Sequence, residues 1–66
     1  MKVRVNGNVL DVPAPCTVAR LLARLELPDR GVAVAVDGAV VPRTGHEIVE
    51  LVEGARVEIL RAVGGG

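Results

Sequence analysis

Asn6-Gly7 sits between two runs that alternate in polarity, and this arrangement constrains the fold more than any other feature of the chain. Lys2-Val3-Arg4-Val5 places every second side chain on one face, the period of a half-buried strand. Asn-Gly supplies the two positive φ angles that a tight hairpin turn demands. Val9-Leu10-Asp11-Val12 is the return strand. Pro13-Ala14-Pro15 closes the hairpin, because neither proline can donate to a ladder. A chain that begins with an antiparallel hairpin must then bury that hairpin's apolar face against something else.

The next segment changes period from 2 to 3.6. Val18, Leu21, Leu22 and Leu25 fall at i, i+3, i+4 and i+7, which makes one apolar stripe on a helix. Thr17 is placed to cap that helix with its hydroxyl. Pro28 stops it, since the residue before a proline is pushed out of the helical region. The spacing predicts a helix from about Val18 to Glu26, lying on one face of a sheet. Asp29-Arg30-Gly31 connects it to Val32-Ala33-Val34-Ala35-Val36, which reads as a central strand with its valine face under the helix. Asp37-Gly38 signals a second hairpin, and Ala39-Val40-Val41 is a short strand closed by Pro42. Arg43 to Glu47 is polar and irregular, and His46 belongs on a polar turn there. Ile48-Val49-Glu50-Leu51 fits a short strand or a single helical turn equally well. Glu53-Gly54 then turns into a last strand over Arg56 to Ala62, with Val57 and Ile59 on one face and Glu58, Leu60 and Ala62 on the other.

Hairpin, crossing helix, then further strands is the β-grasp layout: an α+β domain with a mixed sheet of four to five strands and one helix packed on one face. The first and last strands are expected to be parallel neighbours at its centre. Residues 1–62 form this domain and residues 63–66 a flexible glycine-rich tail. At 66 residues the chain holds one domain at most. It has no aromatic residue, so Val, Leu, Ile and Ala must build the core. Net stability of about 5 kcal/mol or a little more is what such a domain supports. Cys16 is alone, so no internal disulfide forms, and the single His46 leaves no metal-ligand cluster. Cys16 reads as a small residue before the helix cap.

Formal net charge is zero, which argues against nucleic acid as a main partner. Acid exceeds base after residue 43, with Glu47, Glu50, Glu53 and Glu58 against Arg56 and Arg61. That excess suits either a solvated face or the steering of a basic partner. No apolar run approaches the ~20 residues of a membrane span, and no signal peptide is evident, so a cytoplasmic location is expected.

The closing Gly64-Gly65-Gly66 admits two readings: a frayed end, or an arm thin enough to enter a channel that excludes any side chain. The context of the whole chain favours the arm. Val5-Asn6-Gly7, Thr17-Val18 with Leu21-Leu22, Val32 to Val36 followed by Val40-Val41-Pro42-Arg43, and Val57-Glu58-Ile59 leading to Ala62-Val63-Gly64-Gly65-Gly66 together resemble the ubiquitin-like prokaryotic sulfur carriers. Within them the likeness is to the thiamin-pathway carriers of the ThiS family. It departs from their pattern at Thr44-Gly45-His46, where a Trp or His usually follows Pro-Arg more closely.

The resemblance implies a carrier and co-substrate rather than an enzyme. The Gly66 carboxylate would be adenylated by an E1-like, ThiF-like adenylyltransferase, using that partner's ATP and magnesium, with no cofactor bound by this chain. Sulfur from a persulfide donor would convert the adenylate to a thiocarboxylate, for delivery to a ThiG-like thiazole synthase. Gly64 and Gly65 would thread the partner's channel. Arg43, Leu60, Ala62 and Val63 are the candidates for docking to it. Two other readings stand beside this one. A carrier for another pathway, such as molybdopterin synthesis, tRNA thiolation or cysteine synthesis, shares the chemistry, although molybdopterin small subunits tend to be longer and richer in aromatics near the tail. A protein modifier would instead join Gly66 to a lysine, and Lys2 is the chain's single lysine.

Overall fold

The computed structural model describes residues 1–28 and 30–61. Asp29 of the connector and Ala62, Val63, Gly64, Gly65 and Gly66 lie outside the described residues, and with them the expected boundary between domain and tail. The elements run β1 (Lys2–Val5), β2 (Asn8–Asp11), α1 (Val18–Arg24), β3 (Val32–Val36), β4 (Ala39–Val41), a 3-10 turn (Arg43–Gly45) and β5 (Arg56–Arg61). The five strands form one sheet in the order β2-β1-β5-β3-β4. β1 and β5 are parallel, while the other three pairings are antiparallel. This is the β-grasp arrangement that the order of periods implied. β3 is paired on both edges, but the middle place belongs to β5.

Both hairpins turn on the dipeptides that announced them. Asn6 and Gly7 have φ of 50° and 86°, and Asp37 and Gly38 have 49° and 87°. Two successive positive φ values make the type I′ turn, whose twist matches that of the flanking strands. Val5 pairs with Asn8 across the first turn, and Val36 with Ala39 across the second. At the other end of the first hairpin, Asp11 lies beside Lys2 Nζ and the N-terminal amine, each 3.4 Å away. The Lys2 hydrogen bond and charge, then the amine, hold the Asp11 carboxyl below its usual pKa.

The core fills the space between α1 and one sheet face. Val18, Leu21 and Leu22 of the helix are buried with Val3, Val5, Val34, Val57 and Ile59 of the sheet. Each such aliphatic side chain contributes about 1.5–3 kcal/mol on burial. The valines of β3 and the Val57-Ile59 pair face inward, as their alternation requires.

α1 stops at Arg24, two residues short of the expected Glu26. Glu26 adopts φ of 58°. Its N–H donates to the Ala23 carbonyl at 3.0 Å, and the Leu27 N–H donates to the Leu22 carbonyl at 2.9 Å. These two bonds are the Schellman closure, which ends a helix one turn before a proline could.

Thr17 caps the other end. Its Oγ1 accepts from the Arg20 N–H at 3.2 Å. The remaining free N–H groups of the first turn are met from a distant segment: Val18 donates to the Val49 carbonyl at 3.1 Å and Ala19 to the His46 carbonyl at 2.7 Å. The chain from Arg43 to Leu51 therefore lies across the helix N-terminus. Ile48 to Leu51 forms neither of the two structures expected of it. It contains one isolated bridge, Glu50 to Thr17.

This crossing overturns the expectation for His46. It does not sit on an exposed polar turn: it is 2% exposed, and its Nδ1 has no hydrogen-bond partner among the described residues. The backbone bond to Ala19 draws the segment against the helix and takes the imidazole with it.

Candidate functional site

The two faces of the sheet have different jobs. One carries the core under α1. On the other, the strand register brings together side chains that are far apart in sequence. Leu60 pairs with Ala33, Glu58 with Ala35, and Ala35 in turn with Val40. Leu60, Ala33, Ala35 and Val40 thus share the face away from the helix. Leu60 is 72% exposed and Val40 77%. Across the β1 side of the same face the alternation places Lys2, Arg4 and Arg56, all exposed. The outer face is therefore divided into an apolar strip over β5, β3 and β4 and a basic strip over β1 and the start of β5. Glu58 sits between them.

Leu60 was named from the sequence as a docking residue, and the structure places it on the open face. Val40 and Ala33 were missed. The signal for Val40 was available in its alternation with Val41, the one buried residue of β4. Arg43 is exposed and opens the 3-10 turn. β4 and β5 both run antiparallel to β3, so Pro42 and Arg43 leave the sheet at the same end as β5 does. Ala62, Val63, Gly64, Gly65 and Gly66 continue the chain beyond Arg61, outside the described residues.

The exit of β5 is held on two sides. On the β3 edge, Arg61 pairs with Val32. On the β1 edge, Asn6 N–H donates to the Val57 carbonyl at 2.9 Å. The Asn6 side chain then reaches on to Ile59: Oδ1 accepts from the Ile59 N–H at 2.8 Å, and Nδ2 donates to the Ile59 carbonyl at 3.0 Å. In sequence Asn6 was read as turn chemistry alone, and nothing local marks this second use.

Cys16 and His46 do not join this site. Cys16 is 2% exposed, as its reading as a small residue before the cap requires. His46 is buried at the helix N-terminus rather than offered to a partner. Among the described residues, no group of three His, Cys, Asp or Glu side chains is placed to hold a metal ion. No described helix is long and apolar enough to cross a membrane.

A protein-family model described as the ThiS family matches residues 3–66. The chain is similar to the crystal structure of a thiamine biosynthesis protein (ThiS) from Geobacter metallireducens, with a TM-score of 0.82 and 30% identity, covering 100% of both chains. It is equally similar to the solution structure of a thiamine biosynthesis protein from Geobacter metallireducens, again at TM-score 0.82 and 30% identity, covering 100% of this chain and 88% of that one. A thiazole synthase from Paramagnetospirillum magneticum is 35% identical over 66 residues, which is 100% of this chain but 20% of that protein. The chain thus spans about a fifth of the length of that curated relative.

Proposed function

This chain belongs to the ThiS family, and from that premise we propose that it is a sulfur carrier of thiamin biosynthesis whose working atom is the Gly66 carboxyl carbon. The observation that carries this reading is the family match, which extends from the first strand through Gly64, Gly65 and Gly66. The whole-chain likeness to thiamine biosynthesis proteins supports the same pathway.

A free carboxylate at Gly66 has a reference pKa near 3.5 and is ionised at pH 7. It cannot take up sulfur directly, because oxide is too poor a leaving group. An E1-like adenylyltransferase would bring ATP and magnesium to it. The carboxylate oxygen attacks the α-phosphate, pyrophosphate leaves, and the acyl carbon becomes an acyl-adenylate. The terminal sulfur of a persulfide then attacks that carbon and AMP leaves. Thiol attack on the resulting disulfide frees the thiocarboxylate. The carrier is a co-substrate in each step; the partner supplies the catalytic groups, and this chain supplies reach and orientation. ATP supply and thiol chemistry both suit the cytoplasm.

The acceptor in this reading is a thiazole synthase. A thiazole synthase that holds a segment like this chain in its own length supports such a pairing. The outer-face strip of Leu60, Val40 and Ala33 is the docking surface we assign to the activating partner, with Arg43 at the end from which the tail departs. Exposed aliphatic residues that adjoin across three strands are where a partner gains most from excluding water.

Mass spectrometry of the chain isolated from thiamin-starved cells tests this. An oxygen-to-sulfur mass change localised to Gly66 is expected. An isopeptide adduct at Gly66 would instead establish a protein modifier. A second test uses Gly65→Ala, whose added Cβ should block a channel shaped for glycine and abolish adenylation by the activating enzyme. Normal adenylation of that variant would dismiss the narrow-channel idea while leaving the carrier reading intact.

A further inference from the structure

We infer that Asn6 is a positioning residue for the transfer reaction: its carboxamide takes the place of a missing residue of β1 and so locks the direction in which β5 leaves the sheet. The inference rests on the carrier reading above and adds to it the group that aims the tail.

The geometry begins with strand alternation. Successive residues of a strand turn their N–H and C=O groups to opposite edges. On the β1 edge of β5, the Ala55 carbonyl accepts from the Arg4 N–H and the Val57 carbonyl from the Asn6 N–H. The next residue facing that edge is Ile59. By then β1 has ended, because Asn6 and Gly7 have turned the chain back into β2. The main-chain groups of Ile59 would be left without a strand beside them. The carboxamide of Asn6, with one acceptor and one donor at the spacing of a peptide group, bonds both at 2.8 and 3.0 Å. Among the described residues it is the last tie on this edge. Beyond it, among the described residues, β5 stays beside β3, where Leu60 pairs with Ala33.

Asparagine answers both demands at once. Its backbone tolerates the φ of 50° that the turn imposes, and its side chain presents the donor and acceptor pair that Ile59 requires. Aspartate would keep the turn and the acceptor but set an anionic oxygen against the Ile59 carbonyl. Glycine would keep the turn and remove the side chain. Neither change touches the outer face where docking is assigned, and the pairing of Leu60 with Ala33 and of Arg61 with Val32 remains.

The test therefore compares Asn6→Gly and Asn6→Asp with the parent chain. Amide hydrogen exchange reads the clamp directly: the Ile59 amide should exchange about tenfold or more faster in Asn6→Gly, while the amides of β3 keep their protection. Steady-state adenylation with the activating enzyme, at saturating ATP and varied carrier, reads the aim. kcat should fall about tenfold to a hundredfold in both variants, with KM within about twofold of the parent, since misplacement of a reacting group by an ångström has effects of that size. A loss from general destabilisation would follow the folded fraction and vanish on cooling; a loss of aim would persist in fully folded protein. Parent-like kcat despite faster exchange at Ile59 would overturn the aiming role. An Ile59 amide as protected in Asn6→Gly as in the parent would overturn the clamp itself. If the parent chain forms no adenylate, the carrier reading fails and the aiming role with it, and that outcome is distinguished by the parent's own reaction.

Discussion

The two type I′ turns of this domain share a backbone but hold opposite ends of the central strand by different means. Asp37 stands at the start of β5: its N–H donates to the Arg56 carbonyl at 2.7 Å and its Oδ1 accepts from the Arg56 N–H at 2.9 Å. Asn6 stands at the end: its N–H bonds Val57, and its side chain bonds both main-chain groups of Ile59. At Asp37 the backbone supplies the donor, so an acceptor-only carboxylate completes the pair. At Asn6 the backbone is already used one step back, so the side chain must supply both. A turn dipeptide is chosen for its φ angles, yet its first residue is also chosen by what the neighbouring strand lacks.

That comparison can be broken at several scales. The largest effect should come from outside either turn. Leu22→Ala empties part of the shared core and should cost about 2–5 kcal/mol in urea unfolding, enough to unfold much of so small a domain. A loss comparable to that of the turn variants would mean the helix face contributes little and the turns carry the fold. Next comes Asn6→Gly, which leaves two partly buried main-chain groups unpaired and should cost about 1–3 kcal/mol. Asp37→Gly removes one exposed bond and should cost about 0.5–1.5 kcal/mol by the same measurement. The exchange of chemistries sharpens the contrast: Asp37→Asn should change stability by no more than about 0.5 kcal/mol, because an amide oxygen still accepts from Arg56, while Asn6→Asp should be clearly destabilising. Equal losses in those two variants would show that the donor at Asn6 is irrelevant. A small effect of opposite sign concerns a third left-handed residue without such chemistry. Glu26 has φ of 58° and no described side-chain bond, so Glu26→Gly should stabilise the domain by about 0.5–1 kcal/mol in thermal unfolding.

Much of the fold was legible because its signals are local. Thr17 caps the helix that starts at Val18, and the Leu21-Leu22 stripe faces the core that its spacing predicts. The inward face of Val57 and Ile59 follows from alternation. Of the candidate site, alternation alone places Leu60 on the open face, and Pro42 places Arg43 at the exit from β4. Val40 and Ala33 could not be joined to Leu60 in advance, since the register of β3 between β4 and β5 decides that adjacency. His46 was misread for a similar reason. Its neighbours Thr44, Gly45 and Glu47 are polar and small, which is the composition of an exposed turn. The bond from Ala19 to its carbonyl, which buries it, joins segments that sequence holds apart.

The order of periods and turn dipeptides was enough to determine the architecture of this protein, because each strand, turn and cap answers to dihedral preferences and side-chain spacing within a few residues. The tertiary structure alone decided which side chains finish those elements: a carboxamide 53 positions from the amide it bonds, and a loop whose carbonyls close the start of a helix. Those choices depend on which unpaired groups the packed strands and helix leave exposed to one another, and such vacancies exist only once the chain has folded.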